Sequence, residues 1–390
     1  MFEILGIMTL FLLGLPFFIF GLYGIIILYH VRRKKPEKFI NARADGIRSL
    51  AFKPFISILI PTHNEELLIS KKITNILASD YPDEKFEIIF VDDSDDSTPE
   101  VIEEYAETHR NIRLIKFPQR MGYSPCMIAG CKAAKGEIIV FGDAGSFIEP
   151  ETISNLVRHF QTPNIGAVTG SSIILNTNEE VGRSEQLYVK MMNFIREGET
   201  MMDSTFHFNG EACAVRKKLV TDLDWCDATF DTTTALFVRQ KGYRTIYDPS
   251  VRFYEYAPRT RSERVQQKVI RAANLVKALL RFKHMLFRRK YGKFGCIILP
   301  MSMAMLIVSP IAILLGFMFL LAATFTNLTF YSILWSVIGS LFIVALIVSK
   351  EMTLTFLEFE YSLLKALYQL VFTKRTYDKI DKVVSTRRSQ

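Results

Sequence analysis

The sequence predicts an α/β fold, a mostly parallel sheet with helices on both faces, carried between transmembrane helices at the two ends of the chain. Three observations lead there. From Phe55 to Phe141 short apolar, β-rich runs alternate with helical stretches, the pattern of strands buried on both faces of a parallel sheet. No charged residue lies between Ile4 and Tyr29, or between Phe294 and Ser349, and about 20 apolar residues suffice to cross a bilayer. The 390 residues and a mean hydropathy of +0.18 are too many for one small domain and too apolar for an ordinary soluble enzyme.

Residues 1–30 read as a transmembrane anchor, because no small-residue cleavage site follows the apolar run. Arg32-Arg33-Lys34-Lys35 follows it, and Arg288-Arg289-Lys290 with Lys293 precedes the second apolar block. Basic flanks stay inside, so the intervening residues are expected on the cytoplasmic side of a multi-pass cell-membrane protein.

Residues 31–53 form a polar linker, and residues 54–290 the globular domain. Its first strand, Phe55 to Ile60, ends at Pro61 and the turn Thr62-His63-Asn64. A helix from Glu65 to Ser79 turns Leu68, Ile73, Ile76 and Leu77 inward. The second strand, Phe86 to Val91, closes on Asp92-Asp93-Ser94-Asp95-Asp96-Ser97. Thr98-Pro99-Glu100 opens a helix to about His109, with proline at a first-turn position that needs no amide proton. Strands Ile112 to Phe117 and Glu137 to Phe141 follow.

Beyond Thr162 the alternation loosens. A helix is expected from Arg183 to Met202, a return to the sheet through Asn209-Gly210-Glu211 to Arg216, a helix opening near Asp231, a turn and strand at 242–249, and a basic helix from Arg261 to Lys283. Residues 291–350 hold two spans joined by a very short loop at Thr326-Asn327. In residues 351–373, Phe356, Phe359, Leu363, Leu367 and Leu370 make one stripe while Glu358, Ser362, Lys365 and Gln369 make another, an amphipathic helix suited to the membrane interface. A third C-terminal span is the alternative; it would send the basic tail, residues 374–390, outside against the charge rule.

The net charge of +8 raises nucleic-acid binding. Its basic residues, however, gather at membrane edges and between Arg239 and Lys293, where membrane lipids with anionic headgroups or a phosphorylated substrate account for them, and no nucleic-acid partner is expected. Five cysteines, Cys126, Cys131, Cys213, Cys226 and Cys296, form no Cys-x-x-Cys pair, against both a zinc site and a disulfide framework.

Four places carry chemistry. Asp143 follows the strand Ile138 to Phe141, and the carboxyl ends of strands are where open α/β sheets gather ligands; an acid there holds a cation, or is a solvated turn residue. Asp92, Asp93, Asp95 and Asp96 suit the hydroxyls of a ribose or a base amide, or else a helix cap. Asp231, at a helix start, is a general base or a cap. Gln267 and Arg271 stand four apart on one helix face, fit to clamp a leaving pyrophosphate beside Asp143, or to form a charged face near the membrane. Neither a Gly-x-Gly-x-x-Gly turn nor a Walker lysine loop is present, which disfavours dinucleotide and P-loop readings.

Taken in order, Ile58-Leu59-Ile60-Pro61-Thr62-His63-Asn64-Glu65-Glu66, Val91-Asp92-Asp93-Ser94 and Gly136 through Asp143-Ala144 resemble the family 2 glycosyltransferases. Asp231 with Ala235-Leu236, Gly242-Tyr243-Arg244 and Tyr254-Glu255-Tyr256-Ala257-Pro258 continue the likeness. Leu364-Lys365-Ala366-Leu367 and Ser385-Thr386-Arg387 look like the membrane-bound branch with cellulose, chitin and hyaluronan synthases.

The resemblance implies a nucleotide-sugar-binding fold of GT-A type and an inverting transfer assisted by Mg²⁺ or Mn²⁺. Carried over, Pro61, Glu65, Asp92 and Asp93 belong to the donor site. Asp143 is the first acid of the metal-binding Asp-x-Asp, Asp231 the base, and Gln267 and Arg271 approximate the family's Gln-x-x-Arg-Trp. The chain departs from the pattern at Gly145, where the second acid would stand, at Phe230, where an acid usually precedes the base, and at Arg120 and Tyr123 around Gly122. No tryptophan stands directly after Arg271, where Ala272 lies instead.

The expected activity is transfer of a sugar from a nucleoside diphosphate, a UDP-sugar favoured, to a polysaccharide or lipid-phosphate acceptor at the cytoplasmic membrane face, with oligomerisation open. A catalytically impaired nucleotide-sugar-binding scaffold or sensor is the alternative, suggested by Gly145 and the missing tryptophan.

Overall fold

The structure is a computed structural model that describes residues 2–33, 52–221 and 230–372. Its strands are β1 Ile56–Thr62, β2 Phe86–Asp92, β3 Ile112–Lys116, β4 Ile138–Gly142, β5 Phe147–Ile148, β6 Ile165–Ile174, β7 Ala212–Arg216 and β8 Arg244–Glu255. They form one eight-stranded sheet of order β3-β2-β1-β4-β7-β6-β8-β5. β1 runs parallel to β2 and β4, and β2 to β3, because each is reached through a helical crossover.

The second half is mixed. β7 runs antiparallel to both β4 and β6, β5 antiparallel to β8, and β6 parallel to β8. The reversal of β7 has a consequence for the site: its amino end meets the carboxyl end of β4, with Gly142 paired to Ala212.

The helices are α1 Phe2–Arg33, α2 Ile69–Leu77, α3 Thr98–Thr108, α4 Tyr123–Ala133, α5 Thr152–Val157, α6 Glu180–Met202, α7 Lys217–Val220, α8 Phe230–Gln240 and α9 Arg261–Arg281. Two long apolar helices follow, α10 Phe294–Thr324 and α11 Leu328–Phe372. The helix expected from Glu65 begins later, because Glu65 to Leu68 form a turn in which the carbonyl of Glu65 accepts from the amides of both Leu68 and Ile69 at 2.9 Å.

Two apolar layers sandwich the sheet. Ile58, Ile60, Ile73, Phe90, Ile102 and Phe253 belong to one. Leu59, Val91, Phe141, Cys213 and Phe230 belong to the other, which continues into Ile27 and Tyr23 of α1. Each such side chain contributes about 1.5–3 kcal/mol on burial, so the second layer fastens the first apolar helix to the domain. A polar tie reinforces it: the Tyr23 hydroxyl donates to Glu199 Oε1 at 2.6 Å.

Among the described residues, three helices are long and apolar enough to cross a membrane, over Ile4–Arg33, Phe294–Thr324 and Leu328–Phe372. The last two separate at Asn327, whose Oδ1 accepts from the Phe330 amide at 3.1 Å and so caps α11. Helix α10 contains π turns at Phe294–Ile298 and Ala304–Val308, next to Pro300 and Pro310, which lack the amide proton an α turn needs.

Helix α11 kinks at Ser349, where φ is −158° and ψ 86°. Before the kink, Leu341, Ile347 and Val348 are exposed. After it, members of both stripes turn onto the domain: Leu363 and Phe359 join its core and Glu358 pairs with its arginines, while Lys365 stays exposed. Arg264 of α9, 1% exposed, pairs with Glu185 Oε2 at 2.7 Å and with Glu358, and Arg261 reaches Glu358 at 3.4 Å. Leu363 is buried, while Leu357, Tyr361 and Tyr368 face outward.

Cys126, Cys131 and Cys213 are buried free thiols and Cys296 an exposed one. Cys226, most of the linker and the basic tail, with Ser385-Thr386-Arg387, lie outside the described residues.

Candidate active site

The site sits at the carboxyl end of β4. Asp143 is the first residue past that strand, at the head of a turn in which Ser146 donates to the Asp143 carbonyl from its amide at 3.4 Å and its hydroxyl at 3.2 Å. Beneath the turn lies Lys72 of α2, 1% exposed, whose ammonium donates to the Ser146 carbonyl at 2.6 Å. Burial pulls Lys72 down to about 8, opposed by the charge of Asp143. The Asp143 carboxyl is pushed up by burial and then by Glu211, against the pull of Lys72 and the amides of Ala144 and Gly145.

Asp231 is held on the same face. It opens α8 beside Phe230, whose ring packs edge-on against Phe141 at 4.4 Å and lies 6.0 Å from Tyr123. Phe230, read as a departure from the family, is 5% exposed and serves as the apolar anchor of the helix start. Asp231 Oδ1 accepts from the Thr232 amide at 2.7 Å. Burial pushes Asp231 up to about 6; that bond opposes the shift, Glu211 adds to it, and Arg271 and Arg196 draw it back. A carboxylate brought to that value is basic enough to take a hydroxyl proton near neutrality.

Two residues that the sequence left unmarked complete the arrangement. Glu211 lies one residue before β7, beside the Asp143 turn, and its Oε1 stands 3.8 Å from Arg271 Nη2. Arg196 of α6, 8% exposed, braces the approach to it by donating to the His207 carbonyl at 2.7 Å, Asn193 Oδ1 at 2.8 Å and Asn209 Oδ1 at 2.7 Å. Glu211 has no local signal because it acts through pairings distant in sequence, whereas Arg196 acts through the loop that follows its own helix.

The acidic turn after β2 is built differently from an open cluster. Asp92 is fully buried and accepts from Thr62 Oγ1 at 2.6 Å, Ser94 Oγ at 2.8 Å and the Ser94 amide at 3.0 Å. Asp93 Oδ2 accepts from the amides of Met121 and Gly122 at 2.9 and 2.7 Å, and Oδ1 lies 3.0 Å from His63 Nδ1. Gly122, at φ +87°, takes the left-handed conformation that lets its amide face the carboxylate. Both acids therefore shape the rim of the site by tying β1, β2 and the start of α4 together.

Pro61 lies beyond the β1–β4 pairing, which ends at Leu59↔Phe141, so its missing amide breaks no bond with β4. Glu65 is buried, and its amide donates to Thr98 Oγ1 at 2.7 Å. Of the α9 pair, Arg271 reaches the site through Glu211, while Gln267 is half-buried one turn earlier. Lys268 faces away, 3.2 Å from Glu185 Oε2 and over the Tyr188 ring at 3.3 Å.

The donor set at the strand tips, two carboxylates and backbone carbonyls, consists of hard oxygens suited to Mg²⁺ or Mn²⁺. No group of three His, Cys, Asp or Glu side chains converges for a metal among the described residues. Such cations commonly bind through one or two carboxylates and the substrate's phosphates, so the residues present fit one.

Residues 57–223 match the family model described as Glycosyl transferase family 2, and the chain carries a domain of that family. The chain is 27% identical over 285 residues to the poly-β-1,6-N-acetyl-D-glucosamine synthase of Staphylococcus aureus, covering 70% of this chain and 66% of the relative. To the synthase of the same name from Staphylococcus epidermidis it is 23% identical over 278 residues, with the same coverage. The chain thus spans 66% of the length of the curated relatives it matches. A mannosyltransferase of Pyrobaculum calidifontis, solved in complex with GDP-Man and Mn²⁺, shares the fold with a TM-score of 0.70 at 24% identity, over 93% of this chain and 100% of that one.

Proposed function

We propose that this glycosyltransferase works at the cytoplasmic face of the cell membrane, moving a sugar from a nucleoside diphosphate, a UDP-sugar favoured, onto a growing polysaccharide or a lipid-linked acceptor. The observation that carries the mechanism is the placement of Asp231, pushed up to about 6, on the same sheet face as Asp143. The polymer preference is supported by the likeness to poly-β-1,6-N-acetyl-D-glucosamine synthases.

In this reading Asp231 takes the proton of the acceptor hydroxyl as that oxygen forms a bond to the anomeric carbon. The bond from that carbon to the diphosphate breaks, its electron pair leaves on phosphate oxygen, and attack opposite the leaving group inverts the sugar. Arg271 faces the departing charge, and Gln267 lies on the same helix. Asp143 would hold Mg²⁺ or Mn²⁺, which when bound neutralises charge on the diphosphate. Pro61, Glu65, Asp92 and Asp93 form the donor-side wall, the two aspartates by fixing its backbone.

The second half of α11 lies at the membrane interface in this proposal, its outward Leu357, Tyr361 and Tyr368 toward lipid and Glu358 toward the domain. A panel of nucleotide sugars given to the purified chain with Mn²⁺ and membrane lipid extract, with products read by mass spectrometry, tests the reading. One sugar joined to a glycan or lipid carrier is expected; no turnover of any donor would refute it.

A further inference from the structure

We propose that Glu211 supplies the second metal-facing carboxylate that Gly145 leaves out of the Asp143 motif. The inference rests on the glycosyltransferase reading above and concerns which of this chain's residues would hold the cation.

The placement follows from strand register. In the antiparallel β4–β7 pair, Phe141 faces Cys213 and Gly142 faces Ala212. The next positions outward are Asp143 and Glu211. Directly opposed residues of antiparallel strands project to one face, and alternation returns 143 and 211 to the face of Phe141 and Cys213, the layer that also holds Phe230 beside Asp231. A further contact closes the two tips together: the Ser146 hydroxyl, bonded to the Asp143 carbonyl at 3.2 Å, also reaches the Glu211 carbonyl at 3.5 Å.

Glu211 is also available. Its ion pair with Arg271 is long, at 3.8 Å, and the arginine side chain is 60% exposed, so the pair is loosely held and readily exchanged. When a diphosphate arrives, Arg271 turns to the phosphates and the Glu211 carboxylate is left facing the cation. An Asp-x-Asp motif draws both acids from one turn; here the second comes from the neighbouring strand, which is why a lone aspartate suffices in the β4 turn.

The test is Mn²⁺ affinity of the whole 390-residue chain in detergent, read by electron paramagnetic resonance of free Mn²⁺ with saturating UDP and again with GDP. Glu211→Gln and Asp143→Asn are each expected to weaken Mn²⁺ binding at least about ten-fold, the lower end of what losing even an outer-shell partner costs. Gly145→Asp added to Glu211→Gln should restore it, which also shows that the variant folds. Wild-type affinity in Glu211→Gln, with affinity lost in Asp143→Asn, would overturn the proposal while leaving the metal site in place. A wild-type chain that holds no Mn²⁺ with either nucleotide would overturn the cation reading itself, and this inference with it.

Discussion

Phe230 packs edge-on against Phe141 with ring centroids 4.4 Å apart, and this contact joins the strand that leads into Asp143 to the helix whose first turn carries Asp231. Two acids distant in the chain are thereby held on one face of the sheet by an apolar contact. Phe230→Ala should cost about 3–5 kcal/mol of stability, as for other buried phenylalanines. It should also lower kcat more than it raises KM, because the proposed base moves while the proposed donor wall stays. Thermal unfolding in detergent and steady-state kinetics measure the two effects, and Phe230→Leu should retain most of both.

The pH profile should report Asp231. Its carboxyl is pushed up to about 6 by burial, with Glu211 adding and Arg271 and Arg196 opposing, and only the ionised form accepts a proton. The rate should therefore hold near neutrality and fall as pH drops through about 6, about ten-fold per pH unit below it. A profile flat down to pH 4.5 would show that another group is the base.

The same shift carries a stability sign. An acid whose folded value lies above its ordinary 3.8 favours folding when protonated, so the contribution is fully present below 3.8 and is lost as pH rises through 6. At pH 7.5 Asp231→Asn should thus stabilise the fold by about 1–2 kcal/mol, seen as a raised Tm in detergent, and the gain should vanish near pH 4. An unchanged Tm at pH 7.5 would contradict the strained carboxylate.

Much of this was legible in sequence. The strands β1, β2 and β4 are predominantly apolar runs and match the sequence reading almost to the residue, because burial on both faces leaves little other pattern. Asp143 and Asp231 stood out since each falls where a regular element meets a loop. Glu211 did not, because its role depends on β7 running antiparallel to β4, and β7's own residues do not specify its direction. Lys72 was hidden for a similar reason: its helix face turns charge inward beneath the Ser146 carbonyl, against the usual pattern. The polar stripe at Glu358 and Ser362 was visible, but what it turns toward was settled by Arg264 on a different helix.

That docking has its own consequence. Arg264 is 1% exposed between Glu185 and Glu358, and removing one partner of a buried ion pair costs about 3–5 kcal/mol. Arg264→Met should lower stability by that amount, and Glu358→Leu added to it should recover part of the loss. Equal, additive losses in a double-mutant cycle of thermal melts would show that the two residues are not coupled.

On the proposed mechanism Asp231 acts on the acceptor while the donor is held elsewhere in the site. The most direct measure of that role is release of nucleoside diphosphate by purified wild type and Asp231→Asn, each given the active donor with Mn²⁺, alongside donor affinity by calorimetry. The substitution should slow release by about 10²–10⁴-fold and leave donor affinity within about three-fold. Release at the wild-type rate from Asp231→Asn would contradict it.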